Sequence, residues 1–160
     1  MARIKVLFVC LGNICRSPAA EAIFLKLISK RGLQDEFIVD SAGTGSWHVG
    51  KKADQRMRIA AKHRGINIES IARQINKKDF EEFDFIITMD NSNFNNVSSL
   101  RNRESSKGNS KIIKMQSFTS RFKFHKEVPD PYFGGGDGFD NVLDILEDSV
   151  EGFLKSIHSV

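Results

Sequence analysis

Apolar residues along this chain fall into two rhythms. Short continuous runs (Val6-Leu7-Phe8-Val9, Phe37-Ile38-Val39, Phe83 to Met89, Lys111 to Met115) alternate with longer stretches whose apolar positions recur every three or four residues. β-Branched and aromatic runs of that length predict buried strands, and the longer spacing predicts helices with one apolar stripe. The stripe Ala19, Ala22, Ile23, Leu25, Leu27 and Ile28 predicts a helix from Pro18 to about Lys30, stopped near Gly32. A second helix is expected from Ala53 to about Arg64, closed by Gly65. A final one is expected from about Gly138 to His158, with Phe139, Val142, Leu143, Leu146, Val150, Phe153, Leu154 and Ile157 inward. Asp40-Ser41-Ala42-Gly43-Thr44-Gly45 reads as a loop by composition. Asp90 offers a helix cap, and Asn91 to Ser110 reads as a polar surface excursion.

Strands separated by helices imply an α/β protein: a doubly wound, four-stranded parallel sheet with helices on both faces, as a single domain over residues 1–160. Ligands bind such sheets at the carboxyl ends of the strands. The segment at the end of the first strand, Cys10-Leu11-Gly12-Asn13-Ile14-Cys15-Arg16-Ser17-Pro18, carries most of the chemistry. Ser17-Pro18 marks a helix start, so the loop places backbone N–H groups and a helix N-terminus around one point. Cys10 is the candidate nucleophile, because a helix N-terminus and an adjacent arginine favour the thiolate. The N–H groups from Leu11 to Arg16, Ile14 and Cys15 among them, would cradle the equatorial oxygens of a phosphate. The planar fork of Arg16 would bind two of those oxygens, which lysine could not copy. Gly12 lets the backbone approach, Asn13 tolerates left-handed geometry, and the Ser17 hydroxyl can stabilise the departing thiolate.

Such a loop could cleave a phosphate monoester without a metal, and that reaction also needs an acid for the leaving group. Asp130 in Val128-Pro129-Asp130-Pro131-Tyr132-Phe133-Gly134-Gly135-Gly136 is bracketed by prolines that position it at small entropic cost. It would protonate the leaving oxygen and then act as base toward water. Asp40, Asp54, Asp84 and Asp90 are weaker acid candidates, better read as caps or surface charges.

Composition narrows this further. The net charge of +4 suits an acidic substrate but equally suits solvated lysines. No basic run is interleaved with aromatics, which argues against nucleic acid, and no apolar stretch approaches a membrane span. The opening Met1-Ala2-Arg3-Ile4-Lys5 leads straight into a strand, so a cytoplasmic location without a signal peptide is expected. The two cysteines, Cys10 and Cys15, share one loop, unlike a disulfide framework. His48, His63, His125 and His158 make no close ligand pair, so neither a metal nor a cofactor is expected.

Taken together, these stretches resemble the low-molecular-weight protein tyrosine phosphatase family along nearly the whole chain. The resemblance lies in Val6 to Glu21, Asp40 to Thr44, Ala72-Arg73-Gln74-Ile75, Phe83-Asp84 with Met89-Asp90, and Asp130-Pro131-Tyr132. It implies Cys10 as nucleophile, Arg16 as phosphate clamp, Asp130 as proton donor, and Asn13, Ser17 and Ser41 as loop support. Trp47 and Tyr132 match positions that flank the substrate ring, with Leu11 at the floor or wall. The implied activity is metal-independent hydrolysis of phosphotyrosine in proteins and of small aryl phosphates, through a cysteinyl-phosphate. Tyrosine-phosphorylated proteins would be the partners, and the chain would act as a monomer or with weak self-association. Cys15 is either a small inward-packed residue or, as the resemblance implies, a redox partner for Cys10. Two departures stand out. Ser70 occupies the place of a histidine that often joins the family's loop network, which would loosen the loop or shift its pH dependence. Phe133 replaces a second tyrosine found in some relatives.

Alternatives divide on particular residues. Arsenate reductases of this fold relay oxidation through further cysteines, and none follows Cys15. Protein arginine phosphatases resemble Cys-Thr-Gly-Asn-Thr-Cys-Arg, whereas Leu11 and Ile14 stand at the threonine places. A non-catalytic anion-binding module would predict no turnover at all.

Overall fold

A computed structural model describes residues 2–104, 108–122, 127–132, 134 and 137–158. Phe133, Gly135, Gly136 and His125 lie outside the described residues. Four parallel strands, β1 (Ile4–Cys10), β2 (Phe37–Gly43), β3 (Phe85–Thr88) and β4 (Lys111–Lys114), form one sheet in the order β2-β1-β3-β4. The helices are α1 (Arg16–Lys30), α2 (Gln55–Lys62), α3 (Asp79–Glu82), α4 (Asn91–Glu104) and α5 (Gly138–Ile157). The chain runs from β1 out to β2, then passes back over β1 to β3 and on to β4, so the strand order reverses beside β1, whose carboxyl end is the ligand position expected for such a sheet.

β1 is apolar on both faces because both are covered. Val6 and Phe8 turn toward α1, α2 and α5, where Phe24 packs edge-on against Phe8 and Phe37 at centroid distances of 5.9 and 5.2 Å. Leu7 and Val9 turn the other way, toward Phe80 of α3 and Val97 of α4. The apolar stripe of α5 is buried as expected from Phe139 to Leu154. None of the described helices is long and apolar enough to cross a membrane.

Four expectations need correction. The first helix starts at Arg16, two residues before Pro18, so the arginine belongs to the helix terminus itself. Leu25 is exposed, and the buried side of α1 includes Ala20 and Phe24 instead. Asp40 to Gly43 is strand, pairing in register with Leu7 to Cys10, although its composition suggests a loop. Asn91 to Glu104 is a helix of 14 residues, which Asp90 starts by accepting the Asn93 N–H at 2.7 Å. Its only buried residues are Asn93 and Val97, so it carries too little apolar periodicity to read from sequence.

Candidate active site

Cys10 is the last residue of β1 and Arg16 the first of α1, so the intervening loop turns the chain from sheet to helix over one point. The surrounding scaffold engages the loop's carbonyls. Thr44 N–H donates to Cys10 O at 2.9 Å, Gly45 N–H to Leu11 O at 2.9 Å, and Asp54 N–H to Ile14 O at 2.8 Å. Among the described residues, no backbone N–H from Leu11 to Arg16 has a protein acceptor. A loop with acceptors tied outward and donors free, at a helix N-terminus, is an anion cradle.

Asn13 sets the loop's shape. It is the one described non-glycine residue at positive φ, 58°, a conformation asparagine tolerates. Its Nδ2 donates to Ser17 Oγ at 2.7 Å and Ser41 Oγ at 3.0 Å, and its Oδ1 accepts the Arg73 N–H at 3.0 Å. β2 supports the loop from below at Gly43, where a Cβ would come within 2.8 Å of Leu11 O. That close approach is why Ser-Ala-Gly, a loop-like composition, sits in a strand.

The network has a direction. Asn13 donates to both hydroxyls, so each hydroxyl can direct its own proton outward. Ser41 donates to Glu21 Oε1 at 2.5 Å. Ser17 Oγ lies 3.0 Å from Cys10 Sγ and 3.4 Å from Ala42 O, which makes the sulfur its closer acceptor. A hydroxyl aimed at sulfur stabilises a thiolate.

Arg16 is almost wholly buried. Its Nη1 donates to Asp90 Oδ2 at 2.7 Å and Val128 O at 3.1 Å, while Nη2 stands 3.5 Å from Asp130 Oδ2. Burial alone would lower the guanidinium pKa. The charges of Cys10, Asp90 and Asp130 outweigh that cost and raise its pKa above the ordinary value. Anchoring through Nη1 leaves the Nε–Nη2 edge for two phosphate oxygens.

Cys10, Leu11, Gly12, Ile14, Cys15, Arg16, Trp47, His48, Asp130 and Tyr132 line one cavity of about 350 Å³. The expected nucleophile, clamp, acid and aromatic walls therefore converge, although Asp130 is far from Cys10 in sequence. Asp130 Oδ1 accepts the Tyr132 N–H at 3.0 Å, an Asx-type bond that orients the carboxylate. Trp47 is 70% exposed over Gly45, and the Tyr132 ring lies 5.9 Å from His48 and 5.5 Å from the Arg56 guanidinium. Cys15 is a buried free thiol, and its pKa is raised, chiefly by desolvation and then by the charges of Asp54, Cys10 and Asp130. It stays protonated and does not compete with Cys10 for the positive end of α1.

Two participants have no site role in the sequence reading, His48 in the cavity wall and Glu21 below Ser41, while Asp90, expected as a cap or weak acid candidate, also stands behind Arg16. The other weak acid candidates act as supports. Asp54 caps α2 through the Arg56 N–H, Asp40 pairs with Arg73, and Asp84 accepts the Lys5 N–H.

Burial pushes the Glu21 carboxyl up to about 7, with Asp40 adding to the rise; hydrogen bonds from Ser41 and Ser70 and the charge of Arg73 oppose it. Ser70, the departure noted above, therefore contacts the network with a neutral hydroxyl. A carboxyl raised in the folded state binds more protons folded than unfolded, so its stabilising contribution is full below its unfolded value, near 4.5, and is lost as pH rises toward 7. Glu21→Gln removes that loss. Its melting temperature relative to wild type should rise between pH 5 and pH 8, and thermal unfolding at both pH values checks this. An offset equal at both would refute the titration.

A family model described as low molecular weight phosphotyrosine protein phosphatase matches residues 5–160. The low molecular weight phosphotyrosine protein phosphatase of Schizosaccharomyces pombe is 44% identical over 155 residues, covering 96% of this chain and 97% of the relative. A protein tyrosine phosphatase from Entamoeba histolytica, crystallised with Hepes in its active site, superposes with TM-score 0.90 at 47% identity over 96% of each chain. The Drosophila arginine phosphatase DARP superposes with TM-score 0.92 at 39% identity, covering 98% of this chain and 99% of its own. With a parallel sheet, an anion-cradle loop and similarity over nearly the whole chain in agreement, this chain belongs to the low molecular weight phosphotyrosine protein phosphatase family and, with it, to the phosphoric monoester hydrolases.

Proposed function

We propose that the chain hydrolyses phosphotyrosine in proteins through a cysteinyl-phosphate intermediate. The observation that carries this is the convergence of Cys10, Arg16 and Asp130 in one cavity walled by Trp47 and Tyr132. The Cys10 thiolate attacks phosphorus in line as the tyrosyl oxygen leaves, and Asp130 delivers a proton to that oxygen. The loop N–H groups and the Nε–Nη2 edge of Arg16 hold the equatorial oxygens, where charge is spread in the transition state. Asp130, now a carboxylate, takes a proton from water as the water attacks phosphorus. The sulfur–phosphorus bond breaks, and Ser17 receives the thiolate with its hydroxyl. Aromatic walls favour an aryl ester, whose ring spans the depth between cavity mouth and loop. The same reading makes tyrosine-phosphorylated proteins the partners of a cytoplasmic enzyme that is monomeric or weakly self-associating.

The likeness to DARP favours a second reading, phosphoarginine. Leu11 and Ile14 argue against it, since both present apolar groups to the cavity and neither can accept from a phosphoramidate N–H. Parallel assays of one peptide carrying phosphotyrosine or phosphoarginine decide the matter. Phosphotyrosine should give the higher kcat/KM by about tenfold or more, given the cost of an unpaired buried donor. A preference for phosphoarginine would overturn the assignment.

Cys15 supports a further expectation. Peroxide oxidises the Cys10 thiolate to a sulfenic acid, and the Cys15 thiol condenses with it to a disulfide, releasing water. A dithiol reductant then restores both thiols. Wild type should recover most of its activity after peroxide and reductant, and Cys15→Ser should recover little, because its sulfenic acid proceeds to irreversible acids. Equal recovery would sink the role of Cys15.

A further inference from the structure

Beside the catalytic cavity lies a larger concavity, about 770 Å³, to which the reaction assigns nothing. Leu11 and Trp47 line both, so the two are continuous around the indole. Trp47 at 70% exposure and Leu11 at 40% are the rim between them. Leu100 of α4 gives the groove apolar surface over the buried Val97, flanked by the exposed amides of Asn96 and of Asn76, whose Oδ1 already accepts the Lys78 N–H at 3.0 Å. Asn76 thus keeps its Nδ2 as a donor, and the Asn96 amide can donate and accept at once, as an extended backbone requires. Lys77 and Arg103 line the groove, both exposed, and neither forms an ion pair among the described residues. One carboxylate, Glu104, shares the groove with these two cations.

We propose that this groove receives the stretch of substrate polypeptide adjoining the phosphorylated tyrosine and selects acidic residues within it. The inference rests on the phosphotyrosine reading. A tyrosine side chain that reaches the Cys10 loop leaves its backbone at the cavity mouth, so the adjoining chain must cross the rim. Crossing at Trp47 and Leu11 leads into the groove, where each extended residue advances about 3.3 Å. A few residues then bring a carboxylate to Lys77 or Arg103. Charges at such a rim act on encounter and modestly on affinity, and salt screens them.

The test compares three substrates: p-nitrophenyl phosphate, a phosphotyrosyl peptide with aspartates beside the phosphorylated residue, and the same peptide with lysines. Wild type should prefer the acidic peptide, less so at high salt. The Lys77→Glu/Arg103→Glu double variant should lose roughly three- to tenfold in kcat/KM on the acidic peptide, gain on the lysine peptide, and keep the wild-type rate on p-nitrophenyl phosphate. Unchanged peptide preference in the double variant overturns the groove assignment, and so does an equal loss on all three substrates. If wild type hydrolyses p-nitrophenyl phosphate but neither peptide, the phosphotyrosine reading itself fails, a result distinct from the other two.

Discussion

Replacing Cys10 with serine should abolish turnover of p-nitrophenyl phosphate, a fall of roughly 10⁴-fold or more, while phosphate binding persists. The variant keeps the side-chain shape, and its hydroxyl can still bond Ser17 in place of the 3.0 Å contact with sulfur. It loses the nucleophile. A serine hydroxyl stays protonated at neutral pH unless a base removes its proton, and among the described residues the only side chain hydrogen-bonded to the Cys10 sulfur is the Ser17 hydroxyl. Asp130 must enter the first step protonated, Asp90 is tied to Arg16, and the Ser17 hydroxyl already accepts from Asn13. The cradle is unaffected, because its donors are backbone groups and the anchored Arg16. Inorganic phosphate should therefore bind Cys10→Ser within a few-fold of wild type by calorimetry, as expected when a mutation removes chemistry rather than binding. Residual turnover near the wild-type rate would remove Cys10 from the mechanism and leave the site as an anion-binding module.

Legibility in the sequence follows how local each physical cause is. β1, α1 and the loop between them are contiguous, so one nonapeptide shows strand, turn, arginine and helix start together. α5 is legible because its stripe is long and buried throughout. The carboxyl end of β2 is misleading for a physical reason. Gly43 must be glycine to let Leu11 and Asn13 approach, and Ser41 must be a hydroxyl to bridge Asn13 and Glu21. Those demands of the site replace the β-branched residues a strand would otherwise carry. α4 is hidden by the opposite circumstance, since a mostly solvent-facing helix of asparagine and serine has no stripe to read. Asp130 is visible because prolines on both sides mark it. Asp90 and Glu21 are not, because nothing near them in sequence announces partners at Arg16 and Ser41. Asp90 is legible as a helix cap, and it does cap α4 with one oxygen while holding Arg16 with the other.

The loss from Asp130→Ala should depend on the leaving group, and that dependence identifies the residue as an acid rather than a structural support. On a phosphotyrosyl peptide kcat should fall about 10²- to 10³-fold, the usual size of a positioned proton donor's contribution. On p-nitrophenyl phosphate the fall should be smaller, because p-nitrophenolate leaves readily without a proton. Geometry separates this role from a merely supportive one. Asp130 is 36% exposed on its side chain, faces Arg16 at 3.5 Å, and holds its own orientation through the Tyr132 N–H. Asp130→Asn keeps an oxygen for that N–H and so preserves the loop. If it restores activity relative to Asp130→Ala, the carboxyl served only to shape the Pro-Asp-Pro turn. If Asn and Ala lose kcat alike, with the same sensitivity to the leaving group, the proton on Asp130 is what the tyrosyl oxygen requires.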